Sequence, residues 1–183
     1  MAFHHVALAT TDLAATHHFY TGAMGFTLVK AVVAPTPEGA DGWARHVFYD
    51  TGATMQGSGD DGGGLLAFWE LNGPAAPTFD PAMSTSHGLP VWANHLAFAA
   101  ADRNDLDARM ARWLGCGHDV AEIDHGFCVS VYTTDPNGTM VEWCTDTRPL
   151  DAGDRAEAEA LLADPAPPLE APPEPVFHLA KGS

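Results

Sequence analysis

Apolar and small or polar residues alternate in short runs along the chain, give way to a helical period, and then alternate again. His5-Val-Ala-Leu-Ala-Thr-Thr-Asp12 reads as a strand that ends at an aspartate suited to cap a helix. Residues 12–23 have helical character and lead to Gly25, a residue that can stop a helix. Three strand-like runs come next: FTLVKAVV (26–33), RHVFYDT (45–51) and LLAFWEL (65–71). The order then recurs. His95-Leu-Ala-Phe-Ala-Ala-Ala-Asp102 lies 90 positions after its counterpart, with the histidine, two alanines and the aspartate in place. A helical stretch at 103–114 leads to Gly115, and HDVAEI (118–123), CVSVYTT (128–134) and TMVEWCT (139–145) follow as strands.

Strand, helix and about three strands, twice over, predict an α+β fold of two tandem βαβββ modules. One such unit alone would expose its apolar face, so the two must pack or pair their sheets. The modules span 1–72 and 92–146 within a single domain of 1–146. Residues 73–91, rich in Pro, Gly and Ser, join them. The segment GSGDDGGGL contains a G-x-G-x-x-G string, but no helix-forming run follows and its two aspartates would repel phosphate. It is expected to be a hairpin loop. Beyond 146, residues 147–183 form a separate tail, with one short helix over DAGDRAEAEALLAD and an extended, polyproline-like run over PAPPLEAPPEP. Wrapping the domain, bridging to a second subunit and remaining mobile are all open to this tail.

Composition narrows the partners. The formal net charge is −16, and such a surface repels phosphate backbones and anionic lipid, which excludes nucleic acid and membrane as expected partners. No apolar run approaches the roughly 20 residues needed to span a bilayer, and the N-terminus does not have the form of a signal peptide. The three cysteines have no CxxC spacing, which argues against both a disulfide framework and a zinc knuckle. A reducing, cytoplasmic location is expected.

The chemistry concentrates on a few residues. His5 and His95 hold the same place in the two repeats, so pseudo-twofold packing would let their imidazoles converge. His4 points to the opposite face of its strand and is read as peripheral. Glu142 lies in an otherwise apolar strand, where a carboxylate is costly unless paired or metal-bound. Two histidines and a carboxylate leave coordination positions open, a set suited to Fe(II) and also to Mn(II), with Ni(II) or Zn(II) as alternatives. The two sheets would then enclose one metal site. Glu70 is a candidate fourth ligand. It shares strand parity with Phe68, so either could face the site, and solvent exposure is its other reading. Phe48, Trp69, Trp92, Phe98 and Trp143 are available as pocket walls or core.

Residues 123–142, IDHGFCVSVYTTDPNGTMVE, form the most specific string. With His125, Val131, Tyr132, Asp135, Pro136, Gly138 and Glu142 in place, it resembles the signature of type I extradiol ring-cleaving dioxygenases of the vicinal oxygen chelate superfamily. The opening HHVALATTDL…FY…MGF resembles the first strand and helix of that superfamily, so the resemblance covers residues 3–146. It implies that His5, His95 and Glu142 hold Fe(II) or Mn(II), that Tyr132 hydrogen-bonds substrate or an oxygenated intermediate, and that His125 lies beside the metal, positioning substrate or moving protons. The implied substrates are a small aromatic diol and O2. The familiar enzymes are about twice as long, with four modules. Their acid–base histidine between the two ligand histidines has only His46 or His87 as a counterpart here. A metal-bound Glu70 would instead suggest a glyoxalase-type lyase or isomerase. A resistance protein that only sequesters a ligand would have no need of the His5/His95/Glu142 set. Association as a homodimer is expected, because paired modules can also assemble across chains.

Overall fold

The computed structural model describes residues 3–36, 41–52, 64–74 and 76–181. Residues 57–63 of the glycine-rich loop lie outside this range. The first module runs β1 (His5–Thr10), α1 (Leu13–His18), a π-helical turn (Phe19–Ala23), β2 (Thr27–Pro35), β3 (Trp43–Asp50) and β4 (Leu65–Asn72). The second runs β5 (His95–Ala99), α2 (Arg103–Gly115), β6 (Val120–Asp124), β7 (Cys128–Thr134) and β8 (Met140–Asp146). The tail adds α3 (Ala152–Ala163) and β9 (Val176–His178). The first sheet has the order β1-β4-β3-β2 and the second β5-β8-β7-β6-β9; β1–β4 and β5–β8 are parallel pairs and the others antiparallel.

The repeat is expressed in equivalent local structure. Asp12 caps α1 by accepting from Ala15 N at 2.9 Å, and Asp102 caps α2 by accepting from Asp105 N at 2.9 Å. The first helix is shorter than its period suggests. After His18 the chain widens into a π turn, which puts Phe19, Tyr20 and Ala23 in the core together. Gly25 then has φ +77°, so the backbone demands glycine, while the Arg112 guanidinium tip packed over it is flexible enough to yield to a Cβ.

Both sheets turn one face to a common core. Val47, Tyr49, Leu66 and Phe68 from the first join Val129, Val131, Val141 and Trp143 from the second, with Phe19, Tyr20, Phe26, Leu106 and Trp113 between. A polar joint completes the contact. Thr10 Oγ1 donates to Asn137 Oδ1 at 2.7 Å, and Tyr20 Oη donates to Asp135 Oδ2 at 2.9 Å. The D-P-N-G turn at 135–138 thus fastens one module to the other.

Strand alternation assigns the opposite faces. On the first sheet this open face carries His5, Ala7 and Ala9 from β1, Ala67 and Trp69 from β4, His46 and Phe48 from β3, and Val32 from β2. On the second it carries His95 and Ala97, Met140, Glu142 and Cys144, Ser130 and Tyr132, Ala121, and Phe177. β2 is an edge strand exposed along its whole length. The tail's last strand, β9, is marked by no period in the sequence. β9 pairs antiparallel with β6, held by His178 Nε2 and Glu122 Oε2 at 2.9 Å and by Ala180 N donating to Asp119 Oδ1 at 2.8 Å.

Candidate functional site

The open face of the second sheet gathers four of the residues singled out from sequence. His95 projects from the start of β5 and Glu142 from β8, and their Nε2 and Oε2 atoms are 3.1 Å apart. Glu142 is only 6% exposed. Burying a carboxylate to that degree is costly unless it is hydrogen-bonded, paired or bound to a metal. His95 Nδ1 lies 3.1 Å from the Trp92 carbonyl oxygen, which can only accept, so Nδ1 carries a proton. In the neutral ring, Nε2 then presents its lone pair to the Glu142 carboxylate. Two acceptors at that distance repel unless a proton or a cation lies between them. A backbone-fixed Nδ1–H with a free Nε2 is also how metal-binding histidines are oriented. The donor set on this face therefore fits a divalent cation.

Tyr132 stands across from Glu142 on β7, and its Oη is 2.9 Å from His125 Nε2. Burial, helped by the Glu142 charge and opposed by a hydrogen bond with Ser130, pushes the Tyr132 phenol up to about 12. It is therefore protonated, a donor, throughout the neutral range. Burial likewise raises Tyr49 to about 12. Phenols raised above their unfolded value of about 10 stabilise the fold fully below that pH and lose the contribution as pH climbs through the folded value. The urea midpoint is accordingly expected to fall between pH 10 and 12, with the fall shallower in Tyr49→Phe and Tyr132→Phe. A midpoint flat across that interval would contradict the assignment.

His5 lies elsewhere. It is on the open face of the first sheet, with its ring 5.6 Å from Phe48 and 6.2 Å from His46, and its Nδ1 is 2.8 Å from that of His4. The shared core separates the two open faces, and among the described residues no three His, Cys, Asp or Glu side chains come together as a metal cluster. The structure thus joins His95 to Glu142 and does not bring His5 to them within one chain. Glu70 is on neither open face. It shares the core-side parity of the fully buried Phe68, and its Oε2 lies 3.3 Å from Arg45 Nε across the strand pair. His46 is stacked on Trp69 with centroids 3.7 Å apart, and His87 sits in a 3₁₀ turn of the linker. Phe98 and Trp143 pack together with the core, Phe48 and Trp69 line the first open face, and Trp92 is exposed.

No helix among the described residues is long and apolar enough to cross a membrane. Similar folds are found in many solved structures, among them the following three. One is a glyoxylase/bleomycin resistance protein/dioxygenase domain from Frankia sp. EAN1pec (TM-score 0.54, 17% identity, 80% of this chain and 98% of that one). Another is the fosfomycin resistance protein FosX from Listeria monocytogenes (0.53, 15%, 80% and 94%). The third is TnmS3, an antibiotic binding protein from Streptomyces sp. CB03234 (0.50, 18%, 80% and 97%). No curated protein matches the sequence. Residues 2–143 match the Glyoxalase/Bleomycin resistance protein/Dioxygenase superfamily, and the chain belongs to that family.

Proposed function

We propose that this protein is a metal-dependent oxygenase of the extradiol type, acting on a small aromatic diol and O2, with its site completed by a second copy of the chain. The observation that carries the reading is the His95–Glu142 pair at 3.1 Å, with His95 Nδ1 turned to the Trp92 carbonyl and the Tyr132–His125 hydrogen bond beside it. His5 of one copy, with His95 and Glu142 of the other, would hold the ion. Fe(II) is the metal of this reading, with Mn(II), Ni(II) or Zn(II) as alternatives; when bound, it supplies Lewis-acid and redox activation of the two substrates.

The remaining chemistry belongs to the chain. Tyr132 Oη–H donates to a substrate oxygen or to charge that develops on it. His125 Nε2 accepts the phenolic proton when its Nδ1 is protonated, and returns one when it is the imidazolium. Because His125 is exposed, a proton at Tyr132 Oη can be exchanged with solvent through it. The apolar first open face, with Trp69 37% exposed and Val32 45%, supports a partner sheet lying over it. The pairing of Glu70 with Arg45 on the core side favours this reading over a glyoxalase-type ligand set, which would use a second carboxylate. A pocket that only sequestered its ligand would gain nothing from burying Glu142 against His95.

Protein purified without oxygen, loaded with Fe(II) and offered a panel of catechols is expected to take up oxygen and form a yellow ring-opened product. Stoichiometric metal without oxygen uptake across the panel would overturn the oxygenase assignment and leave the metal site standing.

A further inference from the structure

The tail strand brings a residue to the open face that family membership does not account for, because the matched region ends at residue 143. Following the register across the second sheet, Ala97, Glu142, Tyr132, Ala121 and Phe177 form one continuous row on one face. Tyr132 and Phe177 stand on strands two apart, with only the Ala121 methyl between them. At about 4.8 Å per strand their side chains rise about 9.6 Å apart. The space they bound is a groove of about 390 Å³ whose walls also include Thr134, Met140 and His118.

We infer that this groove is a substrate subsite, in which Phe177 and Tyr132 clasp a flat, uncharged apolar ring over Ala121 while the oxygenated end of the same molecule reaches Tyr132 Oη and Glu142. A ring at the middle of the gap lies about 4.8 Å from each wall, within the 4.5–7 Å that offset or edge-to-face aromatic pairs adopt. An alanine floor is required, since any longer side chain at 121 would occupy that position. The net charge of −16, with Asp119 at the rim, disfavours an anionic substituent.

Phe177 is 70% exposed, so burial does not hold it in place. The backbone pairing of β9 does, together with His178 on Glu122, which Arg103 also binds at 2.7 Å. The tail thus acts as a strap that carries a specificity residue to the site. This assignment rests on the proposed reaction for the polar end of the ligand and stands independently of it for the ring.

The test compares naphthalene-2,3-diol with catechol, both bound to the Fe(II)-loaded full chain without oxygen, in wild type, Phe177→Ala and Ala121→Leu. The preference for the two-ring diol is expected to fall about tenfold in each variant, and Phe177→Tyr should retain it. Unchanged thermal melts would show that the variants are folded. An equal preference in wild type and both variants overturns the subsite, as does wild-type protein that binds naphthalene-2,3-diol no better than catechol. Naphthalene-2-ol, which cannot chelate, separates the two readings. If protein stripped of metal binds it in wild type and loses it in Ala121→Leu, the subsite holds even where oxygen uptake fails.

Discussion

Co-expression of His5→Ala chains with Glu142→Ala chains is expected to restore about a quarter of wild-type metal content and oxygen uptake, where each variant alone falls at least about a hundredfold. The arithmetic follows from the placement of the ligands. His5 is on the open face of the first sheet, and His95 and Glu142 are on that of the second, with the common core between. A site that takes His5 from one copy and the pair from the other is destroyed in either homodimer. In a mixed dimer, one site loses both altered residues and the other has all three intact. Random pairing makes half the dimers mixed, which leaves about one intact site in four. The single variants lose so much because the remaining donors cannot retain the ion: Glu142→Ala leaves His95 Nε2 without its carboxylate neighbour. The alternation that would turn His4 to the opposite face does not hold, because its Nδ1 lies 2.8 Å from that of His5; His4→Ala should still retain metal, since this contact engages Nδ1 and leaves His5 Nε2 to the ion. Mixed chains with no regained metal, or a monomeric mass by light scattering with full metal content, would show the site to be closed within one chain.

The parts of this arrangement that were legible in the sequence are those carried by local chemistry. The strand–helix order, the aspartate caps and the burial of Glu142 each follow from residues near one another in the chain. Parity along β4 also contained the answer for Glu70. It shares its face with Phe68, and a large apolar residue between Leu66 and Glu70 belongs with the core rather than with a polar site. Only the facing Arg45, which depends on the register of β3 against β4, made that placement favourable for a carboxylate. The convergence of His5 and His95 failed within one chain for a related reason. A repeat fixes equivalent positions, but not whether the two sheets meet through their histidine faces or through the opposite ones. Here Leu8 and Thr10 alternate with His5 towards the core, and Leu96 and Phe98 do so with His95, so the modules join back to back. β9 was illegible because three residues after a proline-rich run carry no period, and its pairing depends on the free edge of β6, which is more than 50 residues away.

Replacing Asp135 with alanine is expected to cost about 4 kcal/mol of stability, the largest effect of any single change outside the apolar core. The buried carboxylate accepts four hydrogen bonds: from Tyr20 Oη, Asn137 N and Thr139 N at 2.9 Å each, and from Asn137 Nδ2 at 3.0 Å. Alanine leaves these donors unpaired in the interior, and each unpaired donor costs about 1–3 kcal/mol before local relaxation. Tyr20→Phe removes only one of the four and should cost about 1 kcal/mol. That contrast identifies the carboxylate, rather than the phenol, as the hub of the joint. Burial, and then the charge of Asp135, raise the Tyr20 phenol well above its usual value, so it is a donor throughout the neutral range. Tyr20 and Asp135 belong to different modules, and β8 leaves the Asp135 turn only a few residues before Glu142. Loss of the hub should therefore loosen the contact between the modules and the strand that presents the buried carboxylate. Urea denaturation read by tryptophan fluorescence measures the stability, and iron retention in the still-folded variant measures the effect on the site. An Asp135→Ala midpoint within about 1 kcal/mol of wild type would show that water replaces the lost acceptor and that the apolar core alone holds the modules together.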